Sequence, residues 1–435
     1  MREAPSPAAS SPGSAGAATA LARELAERVA TIQAALREEG IGAWLLYDFH
    51  GSNPIAPAVL GLDRVPDRAK DSRRWFYLIP AQGTPRRIVH RIEPRSLDPL
   101  PGDTTIYLAW SELDRAIADA VGSVVATIGA SGGSAPSIAM EYSPMARLPY
   151  LSRVDAGTIE LVRAAGAPVV SSANLAQRFG GVLSPQARRD HVETGRRLQG
   201  IFGAAFARVR DSVRSGNAAL RLTEVSLQRF ILERFDAEGL VTTVPPTVAV
   251  NEHSGDPHFD TRPATDAAIR EGDFLLIDAW CKAKGPGAIY ADYTQVAFVG
   301  PSAPARHREI FEIVRDARDA AVRSVEEALA AGRAIRGCDV DDAARAVIRE
   351  RGYAERFLHR TGHSIGEEVH ANGVHLDNLE TRDERRLLDG TLVSVEPGIY
   401  LQEFGVRSEV NLLLDAGRAV VTTEPIQREL PALLA

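Results

Sequence analysis

The chain is poor in the residues that hold small secreted domains together. Its 435 residues include only two cysteines, Cys281 and Cys338. That is too few for a disulfide framework, and the pair lacks the spacing of a thiolate metal site. A reducing, cytoplasmic setting fits this usage. Lysine is scarce as well: only Lys70, Lys282 and Lys284 stand among fifty basic residues, a bias toward arginine that reads as genomic base composition. Long apolar runs are missing. None approaches the ~18–20 residues that span a bilayer, so no membrane partner is expected. Concentrated positive charge is missing too. The formal net charge is -7 with no basic block, which removes the electrostatic footprint of a nucleic-acid binder. The opening MREAPSPAASSPGSAGAATA has no apolar core of the signal-peptide kind. Small and rich in Pro, Ser and Ala, it reads as a disordered tail over residues 1–20.

What remains is an ordinary globular composition, 45% hydrophobic and 25% charged, enough for two or three domains of roughly 150 residues. Leu21, Leu25, Val29, Ile32 and Leu36 recur at helical spacing before Gly40. The runs AWLLYD, WFYLIP, RRIVH, TTIYLAW, VVATI and SIAMEY read as strands, interleaved with helical stretches near 112–121 and 155–165. Together they predict a compact α/β domain over residues 21–183. From 184 the pattern changes to a long amphipathic helix to about 214, a second helix from Thr223 to Glu238, then strand-like sequence to Gly300. The order repeats: a helix from 304 to Ala331, another from Asp339 to Arg351, then strands. This recurrence predicts a pseudo-twofold domain over residues 184–435, and the fold class is α/β (α+β).

The chemistry sits in that second region. Asp278 ends the apolar run FLLI, and a buried ionised carboxylate must be paired, protonated or bound to a cation. Asp292 lies in YADYTQV, and the two runs predict an antiparallel hairpin joined by the turn-rich CKAKGPG. Period-2 alternation sets Glu396 with Ser394 on one face of TLVSVEPGIY, and Glu409 with Arg407 and Asn411 on one face of FGVRSEVNLLL. Taken singly each acid has an ordinary reading: a capped or salt-bridged aspartate at 278, an ion pair with Arg407 at 409. Four of the ten histidines, His359, His363, His370 and His375, fall within HRTGHSIGEEVHANGVH, with Gly362 and Gly366 around His363. Taken jointly, four carboxylates and one imidazole repel one another unless cations neutralise them, which predicts a pair of divalent ions. Such a pair can share a bridging hydroxide of lowered pKa. Trp280, two residues past Asp278, shares its strand face and could line the pocket.

These segments in this order, LLIDAW, YADYTQV, TGHSIGEEVH, VSVEPGIY and GVRSEV, resemble the pita-bread metallopeptidases (family M24), in particular the aminopeptidase P and prolidase branch. The resemblance covers the chain from about residue 21. It implies a pita-bread catalytic domain preceded by a smaller creatinase/prolidase-type domain. It implies that Asp278 binds one ion, that Asp292 and Glu409 bridge both, and that His363 and Glu396 complete the second ion's shell. It also implies that Glu396 shuttles the proton, His370 steadies the anionic intermediate, His258 lies near the substrate amine and leaving group, and His359 lines a proline-side pocket. The activity implied is Xaa-Pro aminopeptidase or dipeptidase chemistry by a metal-bridging hydroxide, with manganese favoured over Co, Zn or Fe. A homodimer is implied, with the Gly51–Arg73 loop closing over a neighbour's site. The sequence departs from the family's usual pattern at a longer Asp278–Asp292 separation, at Thr294-Gln295 and at Glu409-Val410. The longer connection keeps a second reading open, a lyase or amidohydrolase acting on a small non-peptide metabolite. A non-catalytic binding module is the third.

Overall fold

The computed structural model describes residues 12–65, 71–129 and 136–435. Residues 1–11, where most of the expected tail falls, lie outside that set, as do residues 66–70 of the Gly51–Arg73 loop. The rest of the expected tail is helical: α1 runs Pro12–Glu38, so helix begins well before Leu21. The chain divides into two compact units with the break after Gly180, against an expected division at 183/184.

The first unit continues with β1 (Ala43–Asp48), α2 (Ile55–Leu60), β2 (Trp75–Pro80), β3 (Arg86–His90), β4 (Asp103–Tyr107), α3 (Trp110–Gly129), β5 (Ile138–Met140), α4 (Ala156–Ala164), β6 (Val169–Ser171) and α5 (Ala173–Gly180). Its sheet has the order β4-β3-β2-β1-β5-β6. Both faces are covered, which explains why β1 and β2 are buried throughout and apolar but for Asp48 at the end of β1. Trp44 and Leu46 join Leu25, Val29 and Ile32 of α1 in one core. Ala43, Leu45 and Tyr47 join Leu113, Ile117 and Val121 of α3 in the other. The run VVATI, read as a strand, belongs to α3. Its β-branched residues favour strands, but Ile117, Ala120, Val121 and Val124 fall at helical spacing over the sheet, and packing overrides propensity.

The second unit begins with α6 (Pro185–Arg214), whose cap Ser184 accepts the Ala187 N–H and whose first residue is proline. Helix α7 (Glu224–Ala237) starts in a capping box between Thr223 and Ser226. Strands β7 (Leu240–Val241), β8 (Thr247–Val250), β9 (Phe274–Ala283) and β10 (Ala291–Phe298) follow. Then come α8 (Ala305–Ala330), α9 (Gly337–Glu350) and strands β11 (Leu392–Val395), β12 (Gly398–Tyr400), β13 (Gly405–Arg407), β14 (Val410–Asp415) and β15 (Arg418–Val421). Helices α6 and α7 pack on β8, β9 and β10, with Leu198, Ile201, Leu227 and Ile231 meeting Val248, Leu275 and Ile277. Helices α8 and α9 pack Phe311, Val314, Val340 and Ala344 against Val393, Val395, Val410 and Leu412. The two halves therefore share the order helix, helix, strands. Among the described residues no helix is long and apolar enough to cross a membrane.

Candidate metal centre

Strands β9 and β10 pair antiparallel, as the hairpin reading requires, with Asp278 opposite Thr294 and Trp280 opposite Asp292. Paired residues of an antiparallel ladder point to one side, so Asp278, Trp280, Asp292 and Thr294 share a face. Three details differ from expectation. Asp278 lies mid-strand rather than at a strand end, because β9 runs on to Ala283 and takes in the first half of CKAKGPG. Glu396 follows the last residue of β11, since Pro397 cannot donate to the ladder. Glu409 sits in the break between β13 and β14 rather than inside a strand.

The second half is brought to this hairpin by side chains. The Asn411 amide donates to the carbonyl of Asp292 at 2.7 Å and accepts the Asp292 N–H at 3.1 Å, so it acts as a one-residue strand partner for β10. The segment carrying His363 runs along β11. Ser394 N–H donates to His363 O at 2.9 Å and Glu396 N–H to Thr361 O at 2.7 Å. Gly362 is required there, because a Cβ at that position would lie 1.9 Å from Ser394 O.

Asp292, His363 and Glu409, all buried, each offer a ligand atom within 4.8 Å of the others. His363 Nδ1–H donates to Ser364 O at 3.2 Å. That makes Nδ1 a donor and turns Nε2 toward Asp292 Oδ2 at 3.4 Å and Glu396 Oε1 at 3.3 Å. Ser394 Oγ accepts the His363 N–H at 2.9 Å and donates to Glu396 Oε1 at 3.1 Å. The Thr294 hydroxyl lies 3.0 Å from Asp278 Oδ1 and 2.8 Å from Glu409 Oε2, while accepting from Arg407 Nε at 2.9 Å. One hydroxyl proton cannot satisfy two carboxylates. The Arg407 guanidinium is ion-paired with Asp278 and lies 3.8 Å from Glu396, so its partner is not Glu409, the pairing considered from sequence.

The electrostatics follow from crowding. Burial, reinforced by Asp278 and Glu396, pushes Asp292 up to about 7. Burial and then Asp292 push Glu409 well above the usual carboxylate range, and burial raises Asp278 against the pull of Arg407. Glu396 goes the other way, because the hydrogen bond and charge of His363 overcome burial. His363 rises to about 9, burial being outweighed by Asp292 and Glu396. An imidazolium thus supplies positive charge to the cluster. Even so, Asp292 Oδ1 and Glu409 Oε1 are buried with no hydrogen-bond partner among the described residues. Unbonded buried carboxylate oxygens cost several kcal/mol unless a cation meets them. Hard oxygens plus one imidazole nitrogen fit divalent ions.

The remaining sequence candidates divide. His370 is exposed as a residue, but its imidazole packs edge-on to His363 at 4.4 Å, and desolvation of the ring there, then the charge of His363, lower its pKa to about 4. His359 Nε2 accepts from the Tyr400 hydroxyl at 2.7 Å while Nδ1–H donates to Arg360 O at 2.7 Å. Tyr400 in turn accepts from Arg407 at 3.3 Å, which links His359 to the carboxylates. His258 is exposed and its side chain makes no hydrogen bond among the described residues. The neighbouring Pro257 carbonyl accepts from Arg407 at 3.3 Å. His375, the fourth of the histidine cluster, is buried, and its Nδ1 accepts the Ser364 N–H at 3.2 Å. Trp280 is half-buried, with Nε1 unpartnered among the described residues. Thr294, Ser394, Tyr400 and Asn411 were not singled out as site residues. Ser394 and Asn411 left a trace, their alternation with Glu396 and Glu409.

The profile of metallopeptidase family M24 matches residues 193–416, more than half of the chain. The chain belongs to metallopeptidase family M24. Within M24, a stretch of 172 residues is 34% identical to an Xaa-Pro dipeptidase of Pyrococcus furiosus, covering 38% of this chain and 44% of that protein, so the chain spans less than half the length of that curated relative. The structure is similar to dipeptidase PepE from Mycobacterium ulcerans, with TM-score 0.61 and 23% identity over 95% of this chain and 98% of that one. It is also similar to an X-prolyl aminopeptidase from Caenorhabditis elegans, described as a cytosolic enzyme with a di-nuclear active site. There the TM-score is 0.62 and the identity 15%, over 93% of this chain and 63% of that one. At these identities the structural likeness establishes the M24 fold, pita-bread domain and preceding α/β domain, and nothing finer.

Proposed function

We propose that this chain is a dinuclear-metal hydrolase that cleaves the peptide bond before proline in Xaa-Pro dipeptides or longer Xaa-Pro peptides. The observation that carries the reading is the pair of unbonded, buried oxygens, Asp292 Oδ1 and Glu409 Oε1, beside His363 Nε2. Asp278, Asp292, His363, Glu396 and Glu409 would hold the ions. Manganese suits this oxygen-rich set, and Co, Zn or Fe can enter it. The proline half of the reading is supported by the Xaa-Pro activities named for the relatives. A homodimeric, cytoplasmic enzyme is part of the same proposal.

When bound, such ions polarise the scissile carbonyl and lower the pKa of water. Glu396 does the proton work: hydrogen-bonded to Ser394, its carboxylate would take the proton of the attacking water and return it to the leaving nitrogen. His370, neutral at pH 7, donates an N–H to the developing oxyanion. Arg407 neutralises Asp278 and orients it through Thr294. The Tyr400–His359 pair forms a wall beside Arg407.

The test is a panel of Xaa-Pro dipeptides, Xaa-Pro-Xaa peptides and control dipeptides after reconstitution with Mn, Co, Zn or Fe. Release of the N-terminal residue or of proline is expected. Hydrolysis of no peptide in the panel would contradict the reading and favour the lyase or amidohydrolase alternative.

A further inference from the structure

Two of the three lysines in this arginine-rich chain, Lys282 and Lys284, fall at the end of β9 and just beyond it. The connection that follows, residues 284–290, turns through Gly285 (φ +126°) and Gly287 (φ +76°), conformations that other residues rarely adopt. It does not hang free. Tyr290 N–H donates to Gly366 O at 3.0 Å, and Gly287 N–H donates to Glu367 Oε2 at 3.0 Å. The Lys282 ammonium donates to Glu367 O while sitting 4.8 Å from the centre of the Tyr290 ring, a cation–π contact. Tyr290 is itself anchored, because its carbonyl accepts from Nδ1–H of the buried His191 at 2.8 Å.

The partner of this clasp is the turn that carries His370. Glu367, Glu368 and His370 are exposed, and the turn's own backbone supplies Gly366 N–H to Glu368 O and Ala371 N–H to Ser364 O. The hydrogen bonds from residues 282–290 therefore tie the outer part of the turn to the strand that bears Asp278. We propose that Lys282 is a positioning residue: through Glu367 and Tyr290 it sets where His370 stands against His363. This rests on the hydrolase reading above for its kinetic consequence, but not for its structural one. Misplacing a catalytic group by about 1 Å costs up to ~10²-fold in rate without weakening substrate binding equally.

The test compares Lys282→Met, Lys282→Arg and Lys284→Met in the metal-loaded full chain. Lys284, paired with Asp236 rather than with the turn, is the control. Lys282→Met should lower kcat by about tenfold to a hundredfold with KM within about twofold. Lys282→Arg, which keeps charge and donor, should recover most of the loss, and Lys284→Met should match the parent. Hydrogen exchange over residues 364–371 should speed up in Lys282→Met alone. Unchanged exchange there overturns the clasp whether or not any peptide is cleaved. Faster exchange with kcat unchanged, or a loss confined to KM, overturns the positioning role. Absence of turnover in the parent chain counts against the hydrolase reading and leaves the exchange result to decide the clasp.

Discussion

Each of the two units buries carboxylates, and they handle them in opposite ways. In the first, Glu141 is fully buried and both oxygens are met by neutral donors: Trp44 Nε1 at 2.7 Å and Ser172 Oγ at 3.1 Å on one, Asn53 Nδ2 at 2.8 Å on the other. In the second, Asp278, Asp292, Glu396 and Glu409 crowd together with Arg407 and His363, and two oxygens have no hydrogen-bond partner among the described residues. A satisfied buried acid specifies structure. An unsatisfied cluster of acids is a place for cations. Burial raises the pKa in both settings, so the shift alone does not separate them. The hydrogen-bond inventory does.

The largest effect that sharpens this contrast is on turnover. Glu409→Gln should cut peptide hydrolysis by about a thousandfold, the scale of several kcal/mol of lost charge stabilisation, whereas Glu141→Gln should leave the turnover of the folded chain within about twofold of the parent. Near-normal turnover in Glu409→Gln would break the contrast.

A second effect, on pH, is confined to the second unit. His191 is buried and burial lowers it to about 4. A depressed histidine means that the unfolded chain binds a proton first, so its stabilisation is present above pH 6.5 and is lost between 6.5 and about 4. The stability advantage of the parent over His191→Gln, from urea titrations of metal-free protein, should shrink by about 3 kcal/mol across that window. A difference independent of pH would contradict it.

The smallest effects carry opposite signs. In metal-free protein, Asp292→Asn should stabilise at pH 8. The raised carboxylate favours folding only while protonated, and that contribution is lost as pH climbs through about 7. The expected gain is about 1–3 kcal/mol, vanishing near pH 3.5. Glu141→Gln should instead destabilise by about 1–3 kcal/mol, because its amide nitrogen would face that of Asn53. Equal signs in thermal melts would remove the distinction between the two kinds of buried acid.

What could be read from sequence follows the same division. Helices α6 to α9 were legible because each buries one stripe at helical spacing, and Ser184 and Thr223 also signal the starts of α6 and α7. The β9–β10 hairpin was legible because apolar strands seldom carry an aspartate for nothing. VVATI misled because local β-propensity knows nothing of the sheet that α3 covers. Glu396 and Glu409 were assigned to strands although they stand at breaks, and Pro397 was the available warning. Thr294 and Tyr400 were invisible as site residues, and Ser394 showed only its alternation with Glu396. Threonine, serine and tyrosine are ordinary strand residues, and their roles arise only from partners such as Glu409, His363 and Arg407, the first of them more than a hundred positions away from Thr294. The ion pair with Arg407, weighed as the ordinary reading of Glu409, fails for a related reason: alternation sets Arg407 beside Glu409, while the fold turns it to Asp278.

The central claim is that the second unit's unsatisfied carboxylates are a two-ion site. Metal content per chain after reconstitution and desalting, measured by inductively coupled plasma mass spectrometry, tests it most directly. Two divalent ions per chain in the parent and in Glu141→Gln, with one or none in Glu409→Gln, is the expected result. A parent chain that retains no ion, or a Glu409→Gln variant that retains both, would contradict it.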